Sequence, residues 1–584
     1  MSYTNKALHI DLTSGKIELV ATDQKLREKY IGGKGMGFAM MEQYAPDPDP
    51  MGTENPLIFI NGPFTGTKVQ TSARTVLVTK SPLTNSLLDS NCGGSFGPRL
   101  KMAGYDYLMV TGRSPKPVYL YINEDDINIM DASELWGKGI FETNDILLQR
   151  HPGHDPRVAA IGQAGENLLR IACVGVDKHR QFGRGGAGAV MGSKMLKAIV
   201  VDGNIPVKYF DEEKFTEVNK RFTRDIMDNG GIKYRRQKGT MKCVRSGQDY
   251  EILPVKNFQE VTFDDWEKLS SETSREELNW EDTACFNCSI RCSKWARWDG
   301  HEIEGPEFET TAFLGINSMV NDIKDVSWAN ELCNDWGMDT ISAGVTTAFA
   351  MECYEKGLLK KWNGMSIDWG DAKAQRKLLE SMVKREGAGA LFADGTKAAA
   401  EKIGQGSEYF AIHTYGMELS GVNPKGSLTM ALVFAVADFA SHTRLWMTEV
   451  EMGEDFSIED VPGAVAEGLD TINTRNSLPI CDFVPLGLDR IAEVLNAATG
   501  TSHTEKSLLK TGEDISTLAR TYNMRNGRKH THDTIPERFF EEKSLSGFMR
   551  DQKISREYFN ALVQKYYKLR GWNEKGEVLA KDVV

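Results

Sequence analysis

Three cysteines within eight residues constrain the fold of this chain more than any other feature of its sequence. Cys285, Cys288 and Cys292 are separated by two and then by three residues. Thiolates at this spacing can surround one iron–sulfur cluster or one zinc ion, because soft sulfur ligands suit both. The order of the spacings is the reverse of the radical-type Cys-x3-Cys-x2-Cys motif. A cluster site is favoured over a structural zinc knuckle or three unrelated buried thiols, and its fourth ligand must lie outside the run.

The chain is large enough to enclose such a site, since 584 residues suggest about three or four domains. Its 70 Lys and Arg against 82 Asp and Glu give a formal charge of −12, and this acidic balance argues against nucleic acid or an anionic membrane surface as the main partner. The N-terminus lacks a secretory pattern, and the longest apolar stretch, residues 428–437, is too short to span a bilayer. We therefore expect a cytoplasmic protein whose clustered thiols are ligands rather than disulfides.

Residues 1–206 have the pattern of a β-rich domain. Apolar and polar residues alternate from Leu8 to Leu12 and again from Ile17 to Leu19, on either side of a turn, which predicts a hairpin. Short apolar runs at 57–60, 75–78, 107–110, 118–122 and 198–201 predict further strands, arranged in two layers. Helical periodicity dominates after a break at 202–206, and a second break at 421–426 divides the helical part. We expect three domains, at 1–206, 207–420 and 421–584.

Two predicted helices meet at Gly337 to Asp339. The apolar positions of residues 326–336 share one face, Gly337 has the place of a C-terminal cap, and Asp339 can cap a second helix over 340–356. The six residues from Asn334 to Asp339 have a weak echo in Asn476 to Cys481. Polar side chains beside helix N-termini can hold a polar or anionic cofactor from two sides, although the echo alone is equally compatible with coincidence.

Two glycine-rich stretches, 91–97 and 184–192, could bring backbone N–H groups close to phosphate. A dinucleotide fingerprint requires a strand directly before the glycines, and residues 179–182 do not have that pattern. Plain turns are the alternative for both stretches.

Taken together, these segments resemble the tungsten-containing aldehyde:ferredoxin oxidoreductase family over nearly the whole chain. The further segments that carry the resemblance are Asn61-Gly62-Pro63, Arg74, Thr79-Lys80-Ser81-Pro82, Asn91-Cys92-Gly93-Gly94, Arg184-Gly185-Gly186, Gly305-Pro306-Glu307-Phe308-Glu309, Asn523-x-Arg525-x-Gly527 and Pro536-x-Arg538-Phe539. The resemblance implies an α+β fold, in which an N-terminal two-sheet β domain forms a base for the cofactor and two mostly α-helical domains enclose it.

The resemblance also implies the ligands. Cys285, Cys288, Cys292 and the distant Cys481 would bind one [4Fe–4S] cluster. A tungsten bis-pterin cofactor, with Mg²⁺ at its phosphates, would be held by Arg74, Asn91, Gly93, Gly94, Arg184, Gly185, Asn334, Asp339, Asn476 and Ile480. The chain departs from the family pattern at Asn334 and Asn476, where the family has Asp, and at Pro479, where it has Gly. Asn keeps hydrogen-bonding capacity but lacks the charge of Asp.

The activity implied by the resemblance is the oxidation of an aldehyde and water to a carboxylic acid, with Glu309 and His442 as the acid–base pair. Glu307 is the alternative to Glu309, and a lone histidine such as His442 can equally be structural. One rival function is the reduction of aromatic thioesters or acids with the same cofactors. Another is a zinc-knuckle scaffold without catalysis.

The remaining cysteines bear on how electrons leave the protein. Five of the nine are scattered singly, so the chain offers ligands for one cluster only, and no dinucleotide fingerprint is convincing. We expect transfer to a separate iron–sulfur protein or small subunit of the ferredoxin type, with a flavin component further downstream. None of the ten histidines has a Glu three residues before it, so the Glu-x-x-His iron bridge of some homodimeric family members is not expected.

Overall fold

The computed structural model of the protein describes residues 2–359, 366–438, 445–453, 456–546 and 550–579. The strands in these ranges are β1 (Lys6–Asp11), β2 (Lys16–Ala21), β3 (Leu57–Ile60), β4 (Thr75–Lys80), β5 (Leu87–Cys92), β6 (Tyr107–Thr111), β7 (Val118–Ile122), β8 (Ile127–Asp131), β9 (Arg157–Ala160), β10 (Val174–Val176), β11 (Arg180–Phe182), β12 (Leu196–Val201), β13 (Glu281–Thr283), β14 (Ser293–Trp298), β15 (His301–Glu304), β16 (His413–Thr414) and β17 (Met417–Glu418).

The α-helices in the same ranges are α1 (Gln24–Tyr30), α2 (Gly33–Tyr44), α3 (Phe96–Met102), α4 (Ile140–Arg150), α5 (Gln163–Glu166), α6 (Ala187–Ser193), α7 (Glu212–Asp228), α8 (Gly230–Lys238), α9 (Lys242–Asp249), α10 (Ser271–Glu277), α11 (Phe308–Thr310), α12 (Ile323–Trp336), α13 (Thr340–Glu355), α14 (Ala372–Lys384), α15 (Gly389–Phe392), α16 (Thr396–Ile403), α17 (Leu428–Val436), α18 (Val461–Ser477), α19 (Leu488–Thr499), α20 (Glu505–Arg525), α21 (Arg538–Glu541) and α22 (Arg556–Leu569).

The N-terminal part contains two six-stranded sheets. Their strand orders are β2-β1-β6-β3-β4-β5 and β11-β10-β9-β12-β7-β8. The predicted hairpin is β1 and β2, in the register Ile10 opposite Ile17, because the apolar side chains of both strands then share one face. The structure confirms the predicted two-sheet α+β fold.

The two sheets pack face to face on one apolar core. The core residues of the first sheet include Leu8, Phe59 and Leu77, and those of the second include Leu120 and Ile199. The outer face of the first sheet packs on α2 and α20. This contact joins α2, the second helix of the chain, to a helix almost 500 residues later in the sequence.

The remainder of the chain is mostly helical, with its largest apolar core formed by residues from α12, α13, α14, α17 and α18 among others. A three-stranded antiparallel sheet, in the order β13-β14-β15, interrupts the helices. The sequence pattern did not predict this sheet. Among the described residues, no helix is both long and apolar enough to cross a membrane.

Candidate functional site

The three clustered cysteines lie on the loop that joins β13 to β14. Thr283 pairs with Ser293 across these strands, so the loop is closed at its base beside Cys292. Its tip is fixed to the N-terminal domain, because the side-chain amide of Asn287 donates to the Val69 carbonyl over 2.9 Å and the Ser289 N–H donates to Gln70 Oε1 over 2.9 Å. The small sheet and this anchor hold the thiols against the two-sheet domain.

Cys481 joins the three cysteines in the wall of one cavity of about 320 Å³. The Arg74 guanidinium lies beside it and donates to Cys481 Sγ over 3.5 Å. Burial raises the pKa of Cys288 to about 11 and raises that of Cys292 well above its usual value. A bound metal reverses this effect, since coordination stabilises the thiolate.

Within the described part of the chain, no group of three or more His, Cys, Asp or Glu side chains is close enough to hold one metal ion. A [4Fe–4S] cluster takes one thiolate on each of its four irons, and the four cysteines of the cavity correspond to it in number.

The glycine loop after β5 lies directly against the cysteines. A Cβ atom at Gly93 would stand 2.7 Å from Cys285 Sγ, so a larger residue there would collide with the thiol. Gly94 has a φ of +88° and its carbonyl accepts from the Phe286 N–H over 3.1 Å. Asn91 lines the cavity, and its side-chain amide donates to Asp89 over 3.2 Å.

Arg180 and Glu304 form a buried ion pair in the same wall, which the sequence reasoning missed. Burial tends to lower the pKa of Arg180, but Cys285 and Glu304 outweigh this effect and raise it. Because the two residues are 124 positions apart on different sheets, no local pattern links them.

The first six-residue motif forms the predicted junction between α12 and α13. Gly337 ends α12 in the left-handed region, at φ +77°, and Asp339 caps α13 by accepting from the Ile341 N–H over 3.0 Å. Arg184 forms a buried ion pair of 3.1 Å with Asp339. Asn334 accepts from Gln181 over 2.9 Å, and both Asn334 and Asp339 line the cysteine cavity.

The second motif follows α18 and packs on the start of α2. A Cβ at Gly33 would stand 2.2 Å from the Asn476 carbonyl oxygen, and Ser477 Oγ accepts from the Gly35 N–H over 3.0 Å. Asn476 is buried, and its side-chain NH₂ has no hydrogen-bond partner among the described residues. Of this motif only Cys481 lines the cysteine cavity, since Asn476 lies outside its wall and Ile480 is packed in an apolar cluster.

Arg184 and Gly185 lie behind the first motif rather than in the wall of the cavity. Arg184 donates to the Glu418 carbonyl over 2.7 Å, in addition to its contact with Asp339. Gly185 has a φ of +87°, and its carbonyl accepts from Ser81 Oγ over 2.7 Å. These contacts join the segment 184–186 to residues 79–82, both of which the sequence analysis singled out.

A second cavity, of about 740 Å³, adjoins the first and shares Arg74, Asn91, Thr240, Glu307 and Phe483 with it. Glu309 lines this second cavity. Burial raises the pKa of Glu309 to about 7, and the Arg184 charge and a 3.0 Å hydrogen bond from the Gly421 N–H act in the opposite direction. A buried carboxyl with such a pKa is suited to exchange protons near neutrality.

The other two candidates for acid–base chemistry differ from Glu309. Both carboxylate oxygens of Glu307 are engaged, by the Thr240 hydroxyl and by Ser293 Oγ over 3.2 Å. His442 lies in 439–444, outside the described residues. Its neighbours Leu445, Trp446 and Met447 line the second cavity.

Comparison with known proteins finds matches over nearly the whole chain. The family model for the N-terminal domain of aldehyde ferredoxin oxidoreductase matches residues 7–203, and the model for its domains 2 and 3 matches residues 217–583. The tungsten-containing aldehyde ferredoxin oxidoreductase of Pyrococcus furiosus is 35% identical, over 98% of this chain and 96% of the relative. The corresponding enzyme of Thermococcus kodakarensis is 33% identical, over 98% and 96%.

Two further proteins share the fold but differ in their named activity. The aliphatic sulfonate oxidoreductase, WOR-like subunit, of Pyrococcus furiosus is 30% identical over 98% of this chain and 95% of its own. The solved active site complex BamBC of benzoyl coenzyme A reductase with 1,5-dienoyl-CoA has a TM-score of 0.86 at 26% identity, and covers 99% of this chain and 96% of that one. The chain belongs to the aldehyde ferredoxin oxidoreductase family of enzymes.

Proposed function

We propose that this enzyme oxidises aldehydes to carboxylic acids at a tungsten bis-pterin site and passes the electrons through a [4Fe–4S] cluster to a ferredoxin-type protein. The observation that carries the proposal is the pair of adjoining cavities. Four cysteines line the first, Glu309 lines the second, and Arg74 and Asn91 belong to both walls. The identity to tungsten-containing relatives supports the choice of metal.

The residues present fit both cofactors. The four thiols suit a [4Fe–4S] cluster, and the buried Arg74 guanidinium offsets its negative charge. For the pterins, Asn334 and Asp339 lie on one side, and the NH₂ groups of Asn330 and Asn476 are buried donors without an acceptor among the described residues. A bound polar ring would satisfy such donors. The residues proposed to contact the pterin phosphates and Mg²⁺ are Asn91, Gly93, Gly94, Arg184 and Gly185.

The chain's own residues handle substrate and protons. When bound, the tungsten bis-pterin supplies two-electron redox chemistry and the cluster supplies one-electron transfer. An aldehyde and water give a carboxylic acid, two electrons and two protons, and the ferredoxin-type acceptor takes the electrons. The Glu309 carboxylate accepts a proton from water, and its pKa of about 7 allows it to release that proton afterwards. We assign His442 as the donor to the carbonyl oxygen.

Metal analysis and turnover of protein purified without air test this function. We expect one tungsten, four irons and two pterins per chain, together with aldehyde-dependent reduction of a viologen dye. Zinc in place of iron and tungsten, with no turnover of any aldehyde, would favour a structural zinc knuckle instead.

Reduction of aromatic thioesters or acids is the second candidate. The observation that favours it is the likeness to the benzoyl coenzyme A reductase complex, which extends over nearly all of both chains. Assays with free aldehydes and with aromatic coenzyme A thioesters, run on the same preparation, separate the two. Turnover of thioesters alone would select the second candidate.

A further inference from the structure

The cavity lined by Glu309 has both polar and apolar walls. Its apolar residues include Phe308, Leu445, Trp446, Met447, Ala464, Ile472 and Phe483. Phe308 and Trp446 meet edge to face, with ring centroids 5.5 Å apart. At about 740 Å³, the cavity is within the usual size range of small-molecule sites. These walls suit an aromatic or similarly apolar substrate body.

Four basic residues line the same cavity, Arg74, Arg235, Lys242 and Arg475, and of these Arg235 and Lys242 lie on the neighbouring helices α8 and α9. Arg235, in the last turn of α8, stacks over the Phe483 ring at 3.8 Å, and Lys242 is the first residue of α9. In the part of the chain that the structure describes, neither side chain forms an ion pair with a carboxylate. A half-buried cation beside an apolar wall is stabilised when an anion is bound next to it.

Five carboxylates line the cavity, Glu307, Glu309, Glu449, Glu467 and Asp482, and none of them forms an ion pair with Arg235 or Lys242 in the described structure. Glu449 and Glu467 are exposed to solvent. Glu307 accepts hydrogen bonds from Thr240 and Ser293. The charge of Asp482 acts to raise the pKa values of Arg74 and Arg475. This leaves Arg235 and Lys242 available to a ligand.

Arg235, Lys242 and Glu309 line one cavity, and Cys243, the residue after Lys242, lines it as well. A small molecule bound in this cavity can therefore contact both Glu309 and the two cations.

We infer that this cavity selects aldehydes whose aromatic or other apolar body carries a second, anionic group, which Arg235 and Lys242 bind while the aldehyde carbon lies beside Glu309. The inference rests on the proposed aldehyde oxidation and adds the substrate class. An anion bound by both cations fixes the orientation of the substrate, since the apolar walls alone would leave it free to turn.

Kinetics with 4-carboxybenzaldehyde and benzaldehyde test the inference on the holoenzyme. We expect kcat/KM to favour the carboxylated aldehyde by about tenfold or more, because charge-assisted hydrogen bonds are commonly of that strength. Lys242→Gln and Arg235→Gln should each lower this preference by about tenfold. Lys233→Gln is the matched control, since it removes a charge from the exposed part of α8 outside the cavity and should keep the preference.

Binding provides a readout that does not depend on turnover. Calorimetry should show tighter binding of terephthalate than of benzoate to the wild type, and a smaller difference in the Lys242 and Arg235 variants. Equal kcat/KM for the two aldehydes, or an unchanged preference in both variants, would overturn the inference while the proposed oxidation stands. If no aldehyde is oxidised but the binding preference depends on Lys242, the proposed function fails and the anion site remains.

Discussion

Glu307 and Glu309 are two residues apart in sequence, but their chemical environments differ. Glu307 has a hydrogen-bond donor on each carboxylate oxygen, whereas Glu309 is half-buried in the cavity wall and accepts from the Gly421 N–H. Bound donors stabilise the ionised form of a carboxyl and burial destabilises it. Burial raises the pKa of Glu309 to about 7, so it is the stronger candidate for the proton-accepting group.

The pH dependence of turnover should therefore depend on Glu309. Below a pH of about 7 its carboxyl is protonated and cannot accept a proton, so kcat/KM for an aldehyde should rise with pH through about 7 and then level off. Glu309→Gln should lower kcat by about 10²–10⁴-fold and abolish this rise. Glu307→Gln should retain the rise. Wild-type rates in a fully metallated Glu309→Gln enzyme would transfer the role to Glu307.

The role of Cys481 is open to a separate test. Cys481→Ala leaves one iron without its protein ligand, so the protein should lose the [4Fe–4S] cluster or contain a degraded one. Anaerobic iron analysis and EPR measure this. Cys353→Ala, a substitution of a buried residue in the last turn of α13, is the control and should keep its iron. An intact cluster in Cys481→Ala would mean that another residue is the fourth ligand.

At the scale of elements, local patterns predicted the structure where the determining residues are neighbours in sequence. The junction of α12 and α13 was predicted because Gly337 and Asp339 are a helix C-cap and N-cap two positions apart. The small sheet β13-β14-β15 was missed because β13 is short and partly exposed. The cysteine loop also separates β13 from β14 in the sequence. The start of α2 was also missed, because its glycines contact residues far along the chain. Gly33 packs against the Asn476 carbonyl, and the Gly35 N–H donates to Ser477 Oγ.

Gly33 gives a prediction at this scale. It has a φ of +39°, and a Cβ there would stand 2.2 Å from the Asn476 carbonyl oxygen and 3.0 Å from Pro479. Gly33→Ala should therefore destabilise the protein by about 2–4 kcal/mol through overpacking and backbone strain. Gly230→Ala is a matched control, because Gly230 also begins a helix but has nothing within 4 Å of a Cβ. Thermal denaturation midpoints compare the two, and equal midpoints would show that the contact between α2 and the second motif is loose.

At the scale of the whole molecule, the sequence predicted the fold class and four cysteines that the structure places in one cavity wall, but not the charges that the fold buries. Lys34 forms ion pairs of 3.4 Å with Asp89 and 2.5 Å with Asp438 in the interior, and Arg180 pairs with Glu304 beside the cysteine cavity. Each pair joins segments that are distant in sequence. A buried charge is stable only when it is paired, so these contacts fix how the N-terminal domain meets the helical part.

The path by which electrons leave the molecule gives the last prediction. The five cysteines besides the four in the cavity wall are Cys92, Cys173, Cys243, Cys333 and Cys353, and each lacks the companions that a second cluster would need. The proposed cluster is therefore the one that these cysteines allow, and we propose that a separate iron–sulfur protein accepts its electrons. We expect such a protein to co-purify from the native host, and the isolated chain to reduce viologen with an aldehyde but not a nicotinamide. Adding the purified partner should restore reduction of the physiological acceptor. Full-rate reduction of a nicotinamide by the isolated chain would refute this path, because electrons would then leave without a second protein.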